Sequence, residues 1–364
     1  MKIIYPQDVD SSYPKDIDRS YLSDFFPDKT CLFLADTNIN RIPDIHRHIT
    51  SAGPIDLIII DTTHNSVGLA QDMFNTTCQG EIIRNIEHLV QHCNLYAPTV
   101  VLHTDFNYKS KTTNYYYFPV WLWMWSARLP LWYEDVANHL RLYDVEENKT
   151  AGICCLNRTP NWHRILFYTA VADKPWLSKI AFTFGNHGHG KRYEDAYYFL
   201  QPDEIAEFEN KRCYLPFTLV NKDREDTTDV GIGHPVWSTH TFNLVTESAM
   251  DNTLLSEKTA KPFIAKMIPI ILGPRNTARH LQDAGLDMFE DIVPWHTWDN
   301  LPEPRQRIAK VVEFLDSFVE QDLVAIYHAN QHRVDRNKEF FHSQQFRDNL
   351  TKDMLKLSSN LKTD

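Results

Sequence analysis

Short apolar runs that alternate with segments of helical spacing constrain the fold of this chain more than any other feature. In the first 150 residues the apolar runs are CLFLAD (31–36), DLIIID (56–61) and TVVLHTD (99–105), and helical spacing occupies 44–53 and 81–93. Apolar runs of this length without polar alternation are typical of parallel strands that are buried on both faces. The pattern therefore predicts βαβ units and a Rossmann-like first domain.

The second half of the chain repeats this alternation. Its apolar runs are GICCLN (152–157), KIAFTFG (179–185), FNLVTE (242–247) and IPIILG (268–273). Helical spacing is found in 161–171, from Ser256 onward, in 276–285 and in 304–323. A chain of 364 residues is long enough for two domains. We predict an α/β protein with Rossmann-like domains at 1–150 and 151–330, facing across a cleft, and a charged amphipathic tail at 331–364 that could pack on the first domain as a terminal helix.

Composition excludes several classes of protein. The net charge of −11 argues against a broad nucleic-acid-binding face, although it leaves room for a local basic groove. No apolar run reaches the roughly 18 residues of a membrane span, and the N-terminus lacks the apolar core of a signal peptide. The six cysteines show no CxxC pairing, which is typical of reduced, mostly buried thiols. We expect a cytoplasmic protein, or one of the host cytoplasm if the chain is viral.

Some familiar motifs are missing from the sequence. No GxGxxG follows an apolar run and no GxxxxGK[ST] is present, so a dinucleotide oxidoreductase and a P-loop NTPase are disfavoured. The HGHG at 187–190 has no third ligand at a suitable spacing, so no metal site is predicted there. A loop that covers the phosphates of a bound ligand, with Lys191 and Arg192, is an alternative to a plain loop. The aromatic segment 115–133 is predicted to serve core and interdomain packing rather than a binding cradle.

The segment 242–273 carries the most chemical information. It predicts a strand that ends in Glu247, a polar loop, a helix that opens with Glu257 and Lys258, and a buried strand that ends in Gly273. In open α/β sheets, ligands bind at the carboxyl ends of strands and at helix N-termini. Carboxylates there suit ribose hydroxyls, and an ammonium with helix amides suits phosphate. The pattern points to a nucleoside diphosphate.

In these residues the C-terminal half resembles the α-1,3-fucosyltransferase type of GT-B glycosyltransferase. That family has a strand ending in Phe-Glu-Asn, a Thr-Glu-Lys that opens a helix, and a strand ending in Pro-Ile/Val-x-x-Gly; here FNLVTES, SEK and IPIILG stand in that order. An Arg before a Phe-Tyr helix lies upstream in the family, and LNRTPNWHRILFYTAV matches it over 156–171. The match covers roughly 152–320. Ser256 replaces the family's Thr, and 246–248 reads Thr-Glu-Ser.

The resemblance implies a metal-independent, inverting transfer from a nucleotide sugar, GDP- or UDP-linked, to a glycan or another hydroxyl acceptor. It implies that Lys258 and Arg164, with Arg158 nearby, hold the donor diphosphate and stabilise the leaving group. Glu257 and Glu247 would accept hydrogen bonds from ribose or sugar hydroxyls. Ser256 is expected to be the helix N-cap. No metal and no further cofactor is implied.

An inverting transfer needs one general base on the acceptor hydroxyl, and we expect it at the strand ends of the first domain. The residue types and positions leave several candidates open, with Asp36 a weaker one. The candidate bases are Asp61, His64, His103 and Asp105.

Two other functions stay open at this point. The style of the sequence resembles that of proteins of large bacteriophages, which implies an alternative acceptor: DNA that carries hydroxymethylated bases. That acceptor would require a flipped base and a basic groove. A GT-B module without catalysis, used for binding or assembly, is the second alternative. It predicts no affinity for nucleotide sugars.

Overall fold

A computed structural model describes the chain at residues 2–4, 25–26, 29–35, 54–61, 90–91, 93–94, 97, 99–103, 115–117, 119–127, 148–157, 159–184, 193–212, 235–250 and 255–360. The chain divides into two compact units. The first comprises Met1–Val120 with Asp348–Asp364, and the second comprises Trp121–Arg347. The domain limits expected from the sequence stay a proposal.

The first unit is built on a parallel sheet. Its described strands are β1 (Lys2–Ile4), β2 (Thr30–Ala35), β3 (Leu57–Asp61), β4 (Thr99–His103) and β5 (Tyr115–Tyr117). They lie side by side in chain order, and each described pair is parallel. The three apolar runs predicted as strands are confirmed as β2, β3 and β4, whereas β1 and β5 had no such signal. The helix predicted at 44–53 lies outside the described residues, and that at 81–93 is described as helical at 90, 91 and 93.

The second unit contains another parallel sheet. Its described strands are β6 (Ala151–Asn157), β7 (Ala181–Phe184), β8 (His240–Thr246) and β9 (Ile268–Leu272), in the order β7-β6-β8-β9. Each described pair is parallel. The α/β class predicted from the sequence is confirmed. The chain moves outward from β6 to β7 and then returns to the other side of β6 with β8, so the strand order reverses between β6 and β8. In open α/β sheets such a switch point is where ligands bind.

Helices precede, connect or follow the strands of the second sheet. They are α1 (Val120–Ser126), α2 (Trp162–Val171), α3 (Pro202–Lys211), α4 (Pro235–Thr239), α5 (Glu257–Ile264), α6 (Thr277–Asp283), α7 (Pro304–Phe318), α8 (Leu323–Ala329), α9 (Gln331–Phe341) and α10 (Gln344–Leu350). The first residue of α1 and the last three residues of α10 fall in the first unit. The helical spacings at 161–171, after Ser256, at 276–285 and at 304–323 are confirmed. Helix α2 packs on α7 and α3, α5 packs on α9, and α8 packs on β6. A Cβ at Gly152 in β6 would lie 3.0 Å from Leu323 Cδ1, so a glycine permits this approach.

An aromatic cluster fills the core beside β7. Tyr168 stacks on Phe184 with ring centroids 5.3 Å apart, and Phe184 stacks on Tyr193 at 5.9 Å. The edge of Phe208 from α3 meets Tyr168 at 6.0 Å. The Tyr168 hydroxyl donates to the carbonyl of Lys211 at 2.8 Å, so its polar end is satisfied. The cluster anchors the C-terminal half of α2 to β7.

The aromatic segment 115–133 forms β5 and α1 where it is described. Leu122, Trp123 and Trp125 of α1 are buried, which confirms packing for this part. Arg347 and His342 both hydrogen-bond the carbonyl of Ser126, so the C-terminal helices hold the end of α1.

The C-terminal tail is helical through α9 and α10 and continues as α11 (Lys352–Asn360). Helix α11 contacts β5, and residues 348–364 fall in the first unit.

The described cysteines are buried and free, as expected. Burial raises the pKa of Cys31 to about 11 and the pKa of Cys93, Cys154 and Cys155 to about 12. These thiols are therefore poor nucleophiles. Within the part of the chain that the structure describes, no helix is both long and apolar enough to cross a bilayer.

Candidate functional site

The switch point of the second sheet lies where β6 and β8 end. Strand β6 ends at Asn157 and β8 at Thr246, and both side chains are buried. The Thr246 hydroxyl donates to the side-chain oxygen of Asn157, so the two strand ends are joined directly. Glu247 follows Thr246 and extends the strand, because its amide donates to the Leu272 carbonyl of β9 at 3.0 Å.

The Glu247 carboxylate is completely buried, at 0% exposure. Among the described residues its oxygens accept from the amide and hydroxyl of Ser256 (3.2 and 2.6 Å), from the Ser248 amide (2.8 Å) and from the Thr259 hydroxyl. A buried carboxylate is tolerated when hydrogen bonds replace its hydration. Here the chain itself supplies them.

The main-chain carbonyl of Glu247 is held from the other side by α2. His163 Nε2 donates to it at 2.8 Å, and a guanidinium nitrogen of Arg164 donates at 3.1 Å. Because the partner is a carbonyl oxygen, Nε2 carries the proton and Nδ1 is the unprotonated nitrogen. Burial first, and then the charge of Arg164, lowers the pKa of His163 to about 3, so the ring is neutral.

Arg164 is buried, like the strand-end residues to which it donates hydrogen bonds. Its guanidinium donates to the carbonyls of Thr159 (3.0 Å) and Thr246 (2.8 Å), in addition to that of Glu247, and the side chain is 2% exposed. These bonds fix the loop before α2 against the end of β8. The contact with a donor diphosphate predicted for Arg164 stays a prediction.

Helix α5 begins at the position predicted from the sequence. The Ser256 hydroxyl accepts from the Lys258 amide at 3.3 Å, which confirms Ser256 as the N-cap. Lys258 Nζ donates to Glu257 Oε1 at 2.5 Å and to the Ser248 hydroxyl at 3.1 Å. The Glu257 and Lys258 side chains are 21% and 27% exposed, so solvent reaches both. Burial opposes ionisation of Glu257, but the attraction of Lys258 and Lys261 outweighs it and lowers the pKa to about 2.

The structure thus brings Arg164, Glu247, Ser256, Glu257 and Lys258 together at one edge of the second sheet, and it gives them different surroundings. Glu247 and Arg164 are internal, whereas Glu257 and Lys258 are partly exposed. The ligand contacts predicted for these residues are not tested by this geometry and stay predictions.

Other predicted site residues have only part of their surroundings described. Asp61 and His103 end the neighbouring strands β3 and β4, where Asp61 is in register with Leu102, so their main chains lie at one edge of the first sheet. Arg158, His64 and Asp105, with Asp36 and the segment 187–192, lie outside the described residues.

Sequence reasoning missed the neutral His163 and the hydroxyls of Ser248 and Thr259. Thr259 has a weak signal, because it is the third helical residue after the Ser256 cap, a position from which side chains reach back to the helix start. His163 has no such signal. Among the described residues, no group of His, Cys, Asp and Glu side chains converges as a metal site would.

Comparison with known proteins adds little to this geometry. No protein-family model and no curated protein matches the chain. Among solved structures, it is similar to a chain described as "Trehalose-6-phosphate synthase. OtsA", at 13% identity and a TM-score of 0.34, over 92% of this chain and 67% of that one. At these values the likeness carries no argument about function.

Proposed function

We propose that the protein is a glycosyltransferase that transfers a sugar from a nucleotide-sugar donor to a hydroxyl acceptor. The observation that carries the proposal is the partly exposed Glu257–Lys258 pair at the N-terminus of α5, beside the switch point between β6 and β8. An ammonium group and the positive end of a helix dipole attract a diphosphate. The order of the motifs in 152–320, similar to the α-1,3-fucosyltransferase type, supports a sugar nucleotide as its carrier.

In this proposal the second unit binds the donor, which is GDP- or UDP-linked, and the first unit binds the acceptor in a GT-B arrangement. Lys258 contacts the diphosphate, with Arg158 as a second candidate cation. Glu257 accepts hydrogen bonds from ribose or sugar hydroxyls. These groups contribute to catalysis by stabilising the negative charge that develops on the departing nucleoside diphosphate.

The transfer is proposed to be inverting and metal-independent. The ammonium of Lys258 supplies the positive charge that a divalent cation would otherwise bring to the diphosphate. One general base then takes the proton of the acceptor hydroxyl. Asp61 and His103 are the candidate bases whose main chain is described, at the carboxyl ends of neighbouring strands.

A thermal-shift panel tests the donor site. GDP, UDP, CMP, ADP and their sugars are titrated against the wild type, with and without EDTA. A ligand at 100 times its Kd adds about 2.7 kcal/mol of stability. We expect a shift with one nucleotide family that EDTA does not alter. A folded wild type that responds to no nucleotide would refute the donor site and favour a binding module without catalysis.

Two variants assign the effect to Lys258. Lys258→Ala is expected to abolish the selective shift. Lys310→Ala removes the same charge from an exposed position on α7, where the lysine pairs with Glu313, and it is expected to keep the shift. Equal loss in both variants would show that net charge, rather than the α5 site, determines binding. Incubation of the donor with glycan acceptors and with hydroxymethylated DNA then identifies the acceptor class.

A further inference from the structure

Glu247 differs from the other acidic candidate in where its carboxylate lies. Glu247 is 0% exposed, whereas the side chain of Glu257 is 21% exposed. A ribose hydroxyl that approached Glu247 would have to displace a donor that the chain already supplies from Ser248, Ser256 or Thr259. Leaving such a buried donor unsatisfied costs more than one new hydrogen bond returns. Direct contact between Glu247 and a ligand is therefore disfavoured.

The donors to Glu247 come from both sides of the polar loop. Ser248 lies two residues after the end of β8, whereas Ser256 caps α5 and Thr259 lies in its first turn. Lys258 stands between Ser256 and Thr259 in sequence. The one carboxylate thus joins the strand end to the helical turn that carries the lysine.

Glu247 is itself held tightly. A Cβ at Gly273, which directly follows β9, would lie 3.3 Å from Glu247 Cγ and 3.4 Å from Glu247 Cβ, so the two residues are already in close contact. On the side of α2, His163 and Arg164 donate to its carbonyl. With its main chain and side chain both constrained, Glu247 can transmit the position of the sheet edge to α5.

We propose that Glu247 is a positioning residue, which fixes the first turn of α5 through Ser256 and Thr259 and so holds Lys258 where a ligand phosphate binds. This inference rests on the proposed function and assigns to Glu247 a role other than contact with ribose. It has a specific consequence. Loss of Glu247 weakens every ligand that carries a diphosphate by the same factor, whether or not the ligand carries a nucleoside.

Calorimetric titration with inorganic pyrophosphate and with GDP and UDP tests that consequence. Glu247→Gln replaces one acceptor oxygen by a donor that faces either the Thr259 hydroxyl and the Ser256 amide or the Ser256 hydroxyl and the Ser248 amide. Thr259→Val is a milder variant that removes one donor to the carboxylate. We expect each variant to weaken the binding of pyrophosphate and of the nucleoside diphosphate by equal factors. The factor is about tenfold for Glu247→Gln, which corresponds to about 1.4 kcal/mol, and smaller for Thr259→Val.

The matched control is Thr169→Val. Thr169 is also a buried helical threonine, but its hydroxyl donates to the Ile165 carbonyl within α2 at 2.8 Å. Both affinities are expected to stay unchanged in this control. If Glu247→Gln weakened the nucleoside diphosphate and left pyrophosphate unaffected, Glu247 would contact the nucleoside and the inference would be overturned.

A second measurement needs no ligand. Hydrogen exchange at the amides of Ser256, Lys258 and Thr259 is compared between wild type and Thr259→Val, with α9 as the internal reference. We expect faster exchange in the first turn of α5 and unchanged exchange in α9. Unchanged exchange in α5 would overturn the positioning role even if nucleotides bind. Faster exchange in a protein that binds no nucleotide would refute the proposed function and leave the positioning role standing.

Discussion

The neutral His163 makes the stability of the protein sensitive to mild acid. The pKa of a histidine in an unfolded chain is about 6.5. Burial, with the nearby charge of Arg164, lowers the pKa of His163 to about 3 in the folded protein. Between these values the unfolded chain binds a proton on this ring and the folded protein does not. The contribution of His163 to the free energy of unfolding is therefore fully present above pH 6.5 and is lost as the pH falls toward 3.

The size of the effect follows from the two pKa values. Protonation of one histidine of pKa about 6.5 stabilises the unfolded state by about 2 kcal/mol at pH 5 relative to pH 7. The folded protein, with a pKa of about 3 at His163, is stabilised by almost nothing over the same range. The free energy of unfolding should therefore fall by about 2 kcal/mol on account of His163 alone. This is a large part of the stability of a typical domain.

Urea unfolding at pH 7 and at pH 5, analysed by linear extrapolation, measures this loss in the wild type and in His163→Gln. Gln is chosen because its amide nitrogen can donate to the Glu247 carbonyl as Nε2 does. Contributions of other histidines cancel in the difference between the two proteins. His332→Gln, at an exposed position of α9, is the matched control for the removal of one imidazole. If wild type and His163→Gln lost the same stability to within about 0.5 kcal/mol, the buried neutral histidine would be refuted.

Three further perturbations test other parts of the second unit. Arg164→Met should lower the free energy of unfolding by about 3 kcal/mol or more in the same urea assay, because buried carbonyls lose a charged donor. The control Arg279→Met, at an exposed site, should lower it by under about 0.5 kcal/mol, and equal losses in the two variants would contradict this reasoning. Phe184→Ala should cost about 3–5 kcal/mol in the same assay, since it empties the centre of an aromatic stack, and a loss below about 1 kcal/mol would argue against that packing. The hydrogen bond from Arg333 lowers the pKa of Asp291, so stability from this pair is present above the unfolded pKa of 3.8 and is lost as the pH falls through the lowered value. Arg333→Met should flatten the acid side of the urea-midpoint profile, and an unchanged profile would contradict the pairing.

Strand identity and helix starts could be predicted from the sequence because each depends on local pattern. Apolar runs became β2, β3, β4 and the strands of the second sheet, and Ser256 became a cap because a hydroxyl before Glu-Lys suits a helix N-terminus. Short strands such as β1 and β5, with three residues each, carry too little periodicity to be predicted. The order β7-β6-β8-β9 was not predictable either, since it depends on which crossover each connection makes.

The candidate site shows a second limit, which concerns burial rather than topology. From the sequence, Glu247 and Glu257 are both acids beside a predicted strand end or helix start, and both suited a ligand hydroxyl. Only the folded chain reveals that β9, α2 and α5 converge on Glu247, while Glu257 keeps a solvent-facing side chain. The contacts that bury Glu247 join residues separated by up to 84 positions, so no local window contains them.

The two cations differ for a related reason, and the difference has a physical origin. Carbonyls at the carboxyl end of a parallel strand extend beyond the hydrogen bonds that pair the strands, so when they are buried they need donors from outside the sheet. The carbonyls of Thr246 and Glu247 are buried, and Arg164 satisfies both. Lys258 starts a helix, where amides rather than carbonyls are exposed, and its ammonium contacts a carboxylate and a hydroxyl that stay near solvent. Arg164 is therefore held by carbonyls of the fold, whereas Lys258 is held by groups that solvent reaches, and the exchange of Glu257 for a phosphate stays part of the proposed function.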